Sequence, residues 1–116
     1  MRGEPLKLTV SDKPDAVVVS LSGEIMTRDD QKAVTDLLDE KLGGGQRTLV
    51  FDLSNVPYVS SLGIAVLVAA YVKVDRAGGK LRLVNPRPKV AKVLEMTKVA
   101  DIFRTYSSVD EALSAD

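Results

Sequence analysis

The chain has 116 residues, with sixteen basic and sixteen acidic side chains, no cysteine and no histidine. Its length suits a single compact domain spanning residues 1–116. The neutral balance of charge and the scarcity of aromatic residues argue against a nucleic-acid surface. Without cysteine and histidine, the chain lacks the usual general base, any Ser-His-Asp triad and the commonest metal ligands. We therefore expect a protein that is not an enzyme and that needs no metal or cofactor.

The sequence also lacks the patterns of secretion and membrane insertion. Residues 1–5 contain no apolar segment of the kind that a signal peptide requires. The longest uncharged apolar run is shorter than the about 20 residues that span a bilayer. These patterns predict a cytoplasmic domain with no direct membrane insertion.

The first third of the chain predicts a β-hairpin followed by a helix. Residues 6–10 alternate apolar and polar side chains, residues 11–15 have the composition of a turn, and residues 16–21 are mostly valine. This pattern is typical of two antiparallel strands. Thr27 and Asp30 have the spacing of a capping box, so a helix should begin there. The apolar residues of that helix fall on one stripe, formed by Ala33, Val34, Leu37, Leu38 and Leu42.

Three glycines at 43–45 superficially suggest a phosphate loop. They follow a helix and precede a strand, which is the reverse of the P-loop order, and the Gly-Lys-Ser ending is missing. We therefore predict that they end the helix. The acidic residues of the helix should form a solvated face without the spacing of a metal site. They are Asp29, Asp30, Asp36, Asp39 and Glu40.

The remainder of the chain alternates strand patterns with helix patterns. The predicted strands cover residues 47–53, 80–84 and 102–106, and the predicted helices cover residues 62–76, 89–96 and 109–113. Residues 54–57, which include a proline, should end the first of these strands. Such alternation predicts parallel strands joined by right-handed crossovers. We therefore predict an α/β fold with a largely parallel sheet, an antiparallel N-terminal strand and helices mainly on one side.

Two serines, Ser60 and Ser61, lie between the third strand and the central helix. Functional groups in parallel sheets gather at the carboxyl ends of strands, so these serines should neighbour the loop at 24–27. A serine at a helix start can cap the helix, bind an anion or carry a phosphate that free N–H groups stabilise. The residues alone leave these alternatives open. We do not expect Ser61 to be a catalytic nucleophile, because only a lysine or a carboxylate could act as its base.

The central helix is apolar on more than one side. The face expected against the core is formed by Ile64, Leu67, Val68, Tyr71 and Val74. The other side, where a surface helix is normally polar, has Ala65, Val66, Ala69 and Val72. Either neighbouring elements cover this helix all round, or the second stripe is a docking face for another protein.

Several segments match the motifs of one known family in order and spacing. Residues 17–25 end in Leu-Ser-Gly-Glu-Ile, and residues 49–58 read Leu-Val-Phe-Asp-Leu-Ser-Asn-Val-Pro-Tyr. Residues 60–64 lie where that family has Asp-Ser-x-Gly-Leu, and residues 78–85 and 109–113 also fit. Over nearly its whole length the chain resembles the STAS domain, specifically a stand-alone bacterial anti-sigma factor antagonist.

This resemblance implies regulation by protein binding. Such antagonists bind an anti-sigma factor and thereby free a sigma factor. An anti-sigma factor serine kinase phosphorylates the serine that Ser61 matches and so breaks the complex, and a serine phosphatase restores it. The partner surface that the resemblance implies consists of Met26, Ser60, Ser61, Leu62, Ala65, Val66, Ala69 and Val72. The oligomeric state that we expect is a monomer or a weak dimer.

Two positions near Ser61 depart from the family pattern, and each lacks the acidic side chain that is usual there. Ser60 stands where the family usually has Asp, and Met26 stands where many members have Asp after Gly-Glu-Ile. Two alternative functions therefore remain. The first is a STAS regulatory subunit of a membrane transport complex, whose helix would dock on an ATPase or permease. The second is a signalling scaffold that is not phosphorylated.

Overall fold

The structure, a computed structural model, describes residues 5–115. Its strands are β1 (Lys7–Asp12), β2 (Val17–Ser22), β3 (Thr48–Asn55), β4 (Lys80–Val84) and β5 (Arg104–Tyr106). Its helices are α1 (Arg28–Gly43), α2 (Ser61–Arg76), α3 (Pro88–Met96) and α4 (Val109–Ser114), with a 3₁₀ turn at Val99–Asp101. Residues 1–4 and 116, which belong to the predicted domain span, lie outside the described residues.

The five strands form one mixed sheet in the order β1-β2-β3-β4-β5. β1 pairs antiparallel with β2, and every later pair of neighbours is parallel. Val17 lies opposite Leu49, which in turn lies opposite Leu81. The predicted N-terminal hairpin, the parallel pairing of the central strands and the α/β fold class are therefore confirmed.

Helices cover the two faces of the sheet unequally. On one face, α1, α2 and α3 pack over a large core that includes Phe51 and Leu83. On the other face, the short helix α4 buries Ala112 against Val50 and Val84. Side chains alternate along a strand, so adjacent residues of the central strands belong to opposite layers. The predicted arrangement, with helices mainly on one side, is confirmed.

The third strand is longer than the sequence predicts. Ser54 and Asn55 continue β3, although residues 54–57 were expected to break it. Asn55 lies opposite Ser22 beyond a register shift, and its carbonyl accepts a hydrogen bond of 3.1 Å from the N–H of Gly23. A neighbouring strand thus supplies partners that the local composition does not reveal.

The last strand is shorter than the sequence predicts. β5 begins only at Arg104, so the expected strand at 102–106 is wrong for its first two residues. Phe103 is buried and packs edge-on against Tyr71, with 5.7 Å between the ring centroids. Phe103 follows the 3₁₀ turn at Val99–Asp101, and its side chain packs in the core while its backbone lies outside the sheet.

The first helix begins and ends at the residues that the sequence indicates. The Thr27 hydroxyl accepts a hydrogen bond from the Asp30 N–H at 3.1 Å, and the Asp30 carboxylate accepts one from the Thr27 N–H at 3.0 Å. The predicted capping box is therefore confirmed, as is the helix stop at the glycines. Of the predicted apolar stripe, Ala33 is exposed, Val34 and Leu38 are buried, and Leu37 and Leu42 are half-buried.

Ion pairs connect α1 to its neighbours. Lys41 lies 3.1 Å from the carboxylate of Asp12 at the end of β1. Its hydrogen bond with Asp12 raises the pKa of Lys41 above the ordinary lysine value. Lys73 of α2 pairs with Asp39 of α1. The carboxylates of both pairs are exposed to solvent, which screens the attraction, so each pair contributes little to stability.

Candidate functional site: the serine loop and the exposed face of helix α2

The serine loop, residues 56–60, connects β3 to α2 at the carboxyl end of the sheet. Ser60 has an extended backbone (φ −84°, ψ 178°), and its Oγ accepts a hydrogen bond from the N–H of Gly63 at 3.3 Å. The Ser60 carbonyl accepts the first helical hydrogen bond, from Ile64 at 2.9 Å. Ser60 is therefore the N-cap of α2, which is one of the roles that the sequence left open.

Ser61 is the first residue of α2, and it is exposed. The cap leaves the N–H groups of Ser61 and Leu62 without an acceptor among residues 5–115. The first turn of α2 has no acidic residue, whereas the first turns of α1 and α4 each have two. The dipole of this sixteen-residue helix adds partial positive charge at the same end. An anionic group on Ser61 would thus meet free donors and no carboxylate from its own turn.

The loop that follows β2 lies against the first turn of α2. A β-carbon built on Gly63 would lie 2.8 Å from Cγ1 of Val59 and 3.9 Å from Cβ of Ile25. Only glycine permits this approach without movement of the loop. Met26, the next residue, is 38% exposed, and its N–H donates to the carboxylate of Asp30 at 2.8 Å. The expectation that the two loops are neighbours is confirmed.

An exposed stripe runs along α2 from its first residue. We call it the α2 stripe, and it consists of Ser61, Ala65, Ala69 and Val72. Val72 is 38% exposed, and Ser60 and Leu62 border the stripe as half-buried residues. Because alanine has a short side chain, the backbone of another chain could approach this surface closely.

Val66 does not belong to the α2 stripe. Its side chain is only 3% exposed, and it lies in the core with Val34 and Leu38 of α1. The expectation that Val66 is on the exposed side is wrong, because α1 packs over that part of α2. The alternative of a helix covered all round is also wrong, since Ala65 and Ala69 remain exposed.

Tyr58 is a prominent exposed side chain that is not among the predicted site residues. It lies in the serine loop two residues before Ser60, and it is 48% exposed. Tyrosine is enriched in the contact surfaces of proteins. A tyrosine in the loop between a strand and a helix was therefore the feature of the sequence that could have indicated a contact residue here. Together with Met26, it adds exposed apolar area to the end of the sheet where α2 begins.

A hydrogen-bond network anchors the strand end that carries the serine loop. The Asp52 carboxylate accepts hydrogen bonds from the N–H and the hydroxyl of Ser54, at 3.0 and 2.6 Å. The Ser54 hydroxyl also accepts a hydrogen bond from the side-chain amide of Asn85 at 3.1 Å. The Ser54 carbonyl accepts one from the side chain of Arg87 at 2.8 Å. The last two bonds tie the end of β3, which leads into the serine loop, to the loop between β4 and α3.

Residues 5–115 contain no group of three acidic side chains placed to hold a metal ion. Within the same residues, no helix is both long enough and apolar enough to cross a membrane.

Comparisons with known proteins find similarity to one family. A family model for the STAS domain matches residues 7–112. A Thermotoga neapolitana protein assigned to the anti-sigma factor antagonists is 32% identical over 77 residues, which are 66% of this chain and 68% of that protein. The anti-sigma-F factor antagonist RsfB of Mycobacterium tuberculosis is 26% identical over 113 residues, covering 96% of this chain and 89% of RsfB. The crystal structure of an anti-sigma factor antagonist from Mycobacterium paratuberculosis matches with a TM-score of 0.79 at 27% identity, covering 95% and 92% of the two chains.

Proposed function

The chain belongs to the STAS domain family, among the anti-sigma factor antagonists, and on this basis we propose that it is a cytoplasmic partner-switching regulator. It binds an anti-sigma factor through the α2 stripe, Met26 and the serine loop. Phosphorylation of Ser61 by that partner, a serine kinase, ends the complex, and a serine phosphatase restores it. The protein acts by binding and not by catalysis.

The observation that carries this proposal is the position of Ser61 at one end of the α2 stripe. An exposed hydroxyl on the first helical residue is accessible to a kinase. The rest of the stripe, Ala65, Ala69 and Val72, is exposed and apolar, as suits a protein contact. A modification at this hydroxyl would therefore change the charge of the contact surface without reaching the core.

The expected effect of a phosphate differs between the free domain and the complex. In the free domain, the unpaired N–H groups of Ser61 and Leu62 and the helix dipole would stabilise the added charge. In a complex, a charge of about −1.5 to −2 would be buried beside an apolar contact, which is costly without a cation to meet it. Phosphorylation should thus weaken binding and leave folding intact.

The first experiment asks whether Ser61 is the switch. The protein is used to capture its partner, and the purified pair is incubated with ATP, after which mass spectrometry maps the phosphate. We expect phosphate on Ser61, weaker binding by Ser61→Asp, and binding by Ser61→Ala that ATP no longer weakens. Ser60→Ala is the matched control, because it removes the neighbouring hydroxyl and the cap but should keep the switch.

Phosphate on Ser60 would contradict the assignment of Ser61 as the acceptor. If no phosphate forms and Ser61→Asp binds normally, the non-phosphorylated scaffold becomes the better explanation. Capture of a transporter ATPase or permease instead of an anti-sigma factor would replace the proposal with the transport-subunit function.

The second experiment tests the α2 stripe. Ala69→Glu places a carboxylate at its centre and should weaken partner binding by about a hundredfold or more, since an unpaired charge would be buried in the contact. Ala33→Glu makes the same change at an exposed position of α1 and is the control. Ala69 shares a surface cleft with Gln31 and Thr35, and Ala33 is not part of that cleft. Equal affinities for the two variants, both folded by circular dichroism, would show that the stripe is not the contact.

A further inference from the structure

A cavity lies at the opposite end of the sheet from Ser61. It has a volume of about 610 Å³ and lies where β3 and β4 begin, beneath the C-terminal end of α4. We call it the basic cavity, because its lining includes Lys13, Arg47, Lys80 and Arg82. None of the residues assigned to the serine loop or the α2 stripe lines it, so it is separate from the proposed partner surface.

The lining of this cavity has more basic than acidic side chains, unlike the chain as a whole. The whole sequence has equal numbers of basic and acidic residues. Among the described residues, the lining has four cationic side chains and a single carboxylate, that of Asp15. None of the four cations forms an ion pair with a carboxylate of residues 5–115. Counted over residues 5–115, the lining of the cavity therefore has an excess of positive charge.

Arg82 is the most unusual of these cations because it is buried. Only 5% of it is exposed, and it is the one charged residue in the buried set of residues 5–115. Its Nη1 donates a hydrogen bond of 2.7 Å to the carbonyl of Ala112. That neutral carbonyl satisfies one of the five N–H donors of the guanidinium and does not balance its charge. A buried arginine normally has an anionic partner.

The sheet places a further cation, Arg104, beside Arg82 but outside the basic cavity, in an adjoining cavity that Asp75 also lines. Arg104 of β5 lies directly opposite Arg82 in the parallel register, so the two side chains project from the same face. Like charges in such a position repel each other. Arg47 is exposed, and its Nη1 makes two hydrogen bonds, to the carbonyls of Leu42 and Gln46, whereas Arg82 makes one. Among residues 5–115, the remaining donors of Arg82 and the two lysines are therefore the groups best placed to meet an anion.

We propose that the basic cavity binds a small phosphate-class oxyanion, with Arg82 as the buried anchor and Lys13 and Lys80 as contacts at the rim. The planar fork of an arginine donates two parallel hydrogen bonds to a phosphate, which fixes orientation as well as charge. The lysines add positive charge with freely rotating donors. This inference does not depend on the proposed switching function, because the two surfaces are at opposite ends of the sheet.

The test is a titration of the ¹⁵N-labelled protein with pyrophosphate, with ionic strength held constant by sodium chloride. We expect saturable shifts in the amides of Thr48, Gly79 and Leu113, which line the basic cavity. The double variant Lys13→Gln/Lys80→Gln removes exposed side chains only and should bind about tenfold more weakly.

The matched control is Lys89→Gln/Lys92→Gln, which makes the same charge change on the exposed side of α3, outside the cavity. It should bind pyrophosphate as the unmodified protein does. Arg82→Lys keeps the charge but loses the fork, and it should also bind more weakly, with the Ala112 amide reporting whether α4 stays docked. Shifts that never saturate, equal losses in both lysine variants, or equal binding of acetate would each overturn the proposal.

Discussion

Gly63 offers a sharp test of how the serine loop is held against α2. A methyl group at this position would lie 2.8 Å from Cγ1 of Val59, which is closer than such carbon atoms normally approach. Val59 is buried at the end of the serine loop, so its side chain cannot move into solvent without cost. Gly63→Ala should therefore either push Val59 aside or shift the first turn of α2.

Two opposing effects set the size of the change. Overpacking of this kind costs about 1–3 kcal/mol. The replacement of glycine by alanine inside a helix contributes roughly 1 kcal/mol in the opposite direction. We therefore expect Gly63→Ala to lower the free energy of unfolding by about 1 kcal/mol, within a range of about 0–2 kcal/mol.

A double-mutant cycle separates the two effects. Val59→Ala removes the methyl group that the new side chain would meet, so in that background Gly63→Ala should raise the free energy of unfolding by about 1 kcal/mol. The coupling between the two positions should then be about 2 kcal/mol, measured by urea unfolding of the four proteins.

A second glycine supplies the control for helix propensity. Gly43 is the last residue of α1, and a β-carbon there would have no neighbour within 4 Å. Gly43→Ala should therefore be neutral or stabilising. If Gly63→Ala proves as favourable as Gly43→Ala, or if the cycle shows no coupling, the tight contact with Val59 does not constrain the serine loop.

Three further changes test packing and capping elsewhere in the fold. Gly79→Ala should destabilise the protein by more than 3 kcal/mol, because its β-carbon would lie 2.3 Å from the backbone oxygen of Arg47, and denaturant unfolding will measure this. Thr27→Ala should cost about 1 kcal/mol in the same assay through loss of the capping box with Asp30, and an unchanged midpoint would contradict that role. Val66→Asp should prevent folding at 25 °C as judged by circular dichroism, since it places an unpaired charge in the core; a folded, stable variant would show that this side of α2 is open to solvent.

The sequence by itself determined the type and order of nearly all the elements. Runs such as 17–21 and 49–53 are mostly apolar, and they are separated by a helical pattern with an identifiable cap. These properties are local, because they depend on spacing along the chain and on which residues satisfy helix ends. Parallel pairing followed from the same pattern, since strands that alternate with helices have few other right-handed arrangements.

The serine junction was only partly determined by the sequence. The place of Ser60 and Ser61 between a strand and a helix was evident, and so was the chemistry available to a helix start. Which serine caps the helix depends on backbone angles that the structure supplies, and it leaves Ser61 exposed.

Only the tertiary structure decided which apolar residues of α2 face solvent. Val66 and Ala69 both lie on the side of the helix away from the expected core, and their hydrophobicity does not distinguish them. The packing of α1 against α2 buries Val66 and leaves Ala69 exposed, and this packing joins residues that are distant in sequence. Arg82 gives the same lesson at the other end of the sheet. Its burial requires α4 to fold back over β4, and no local pattern encodes that contact because the two partners are separated by 30 positions along the chain.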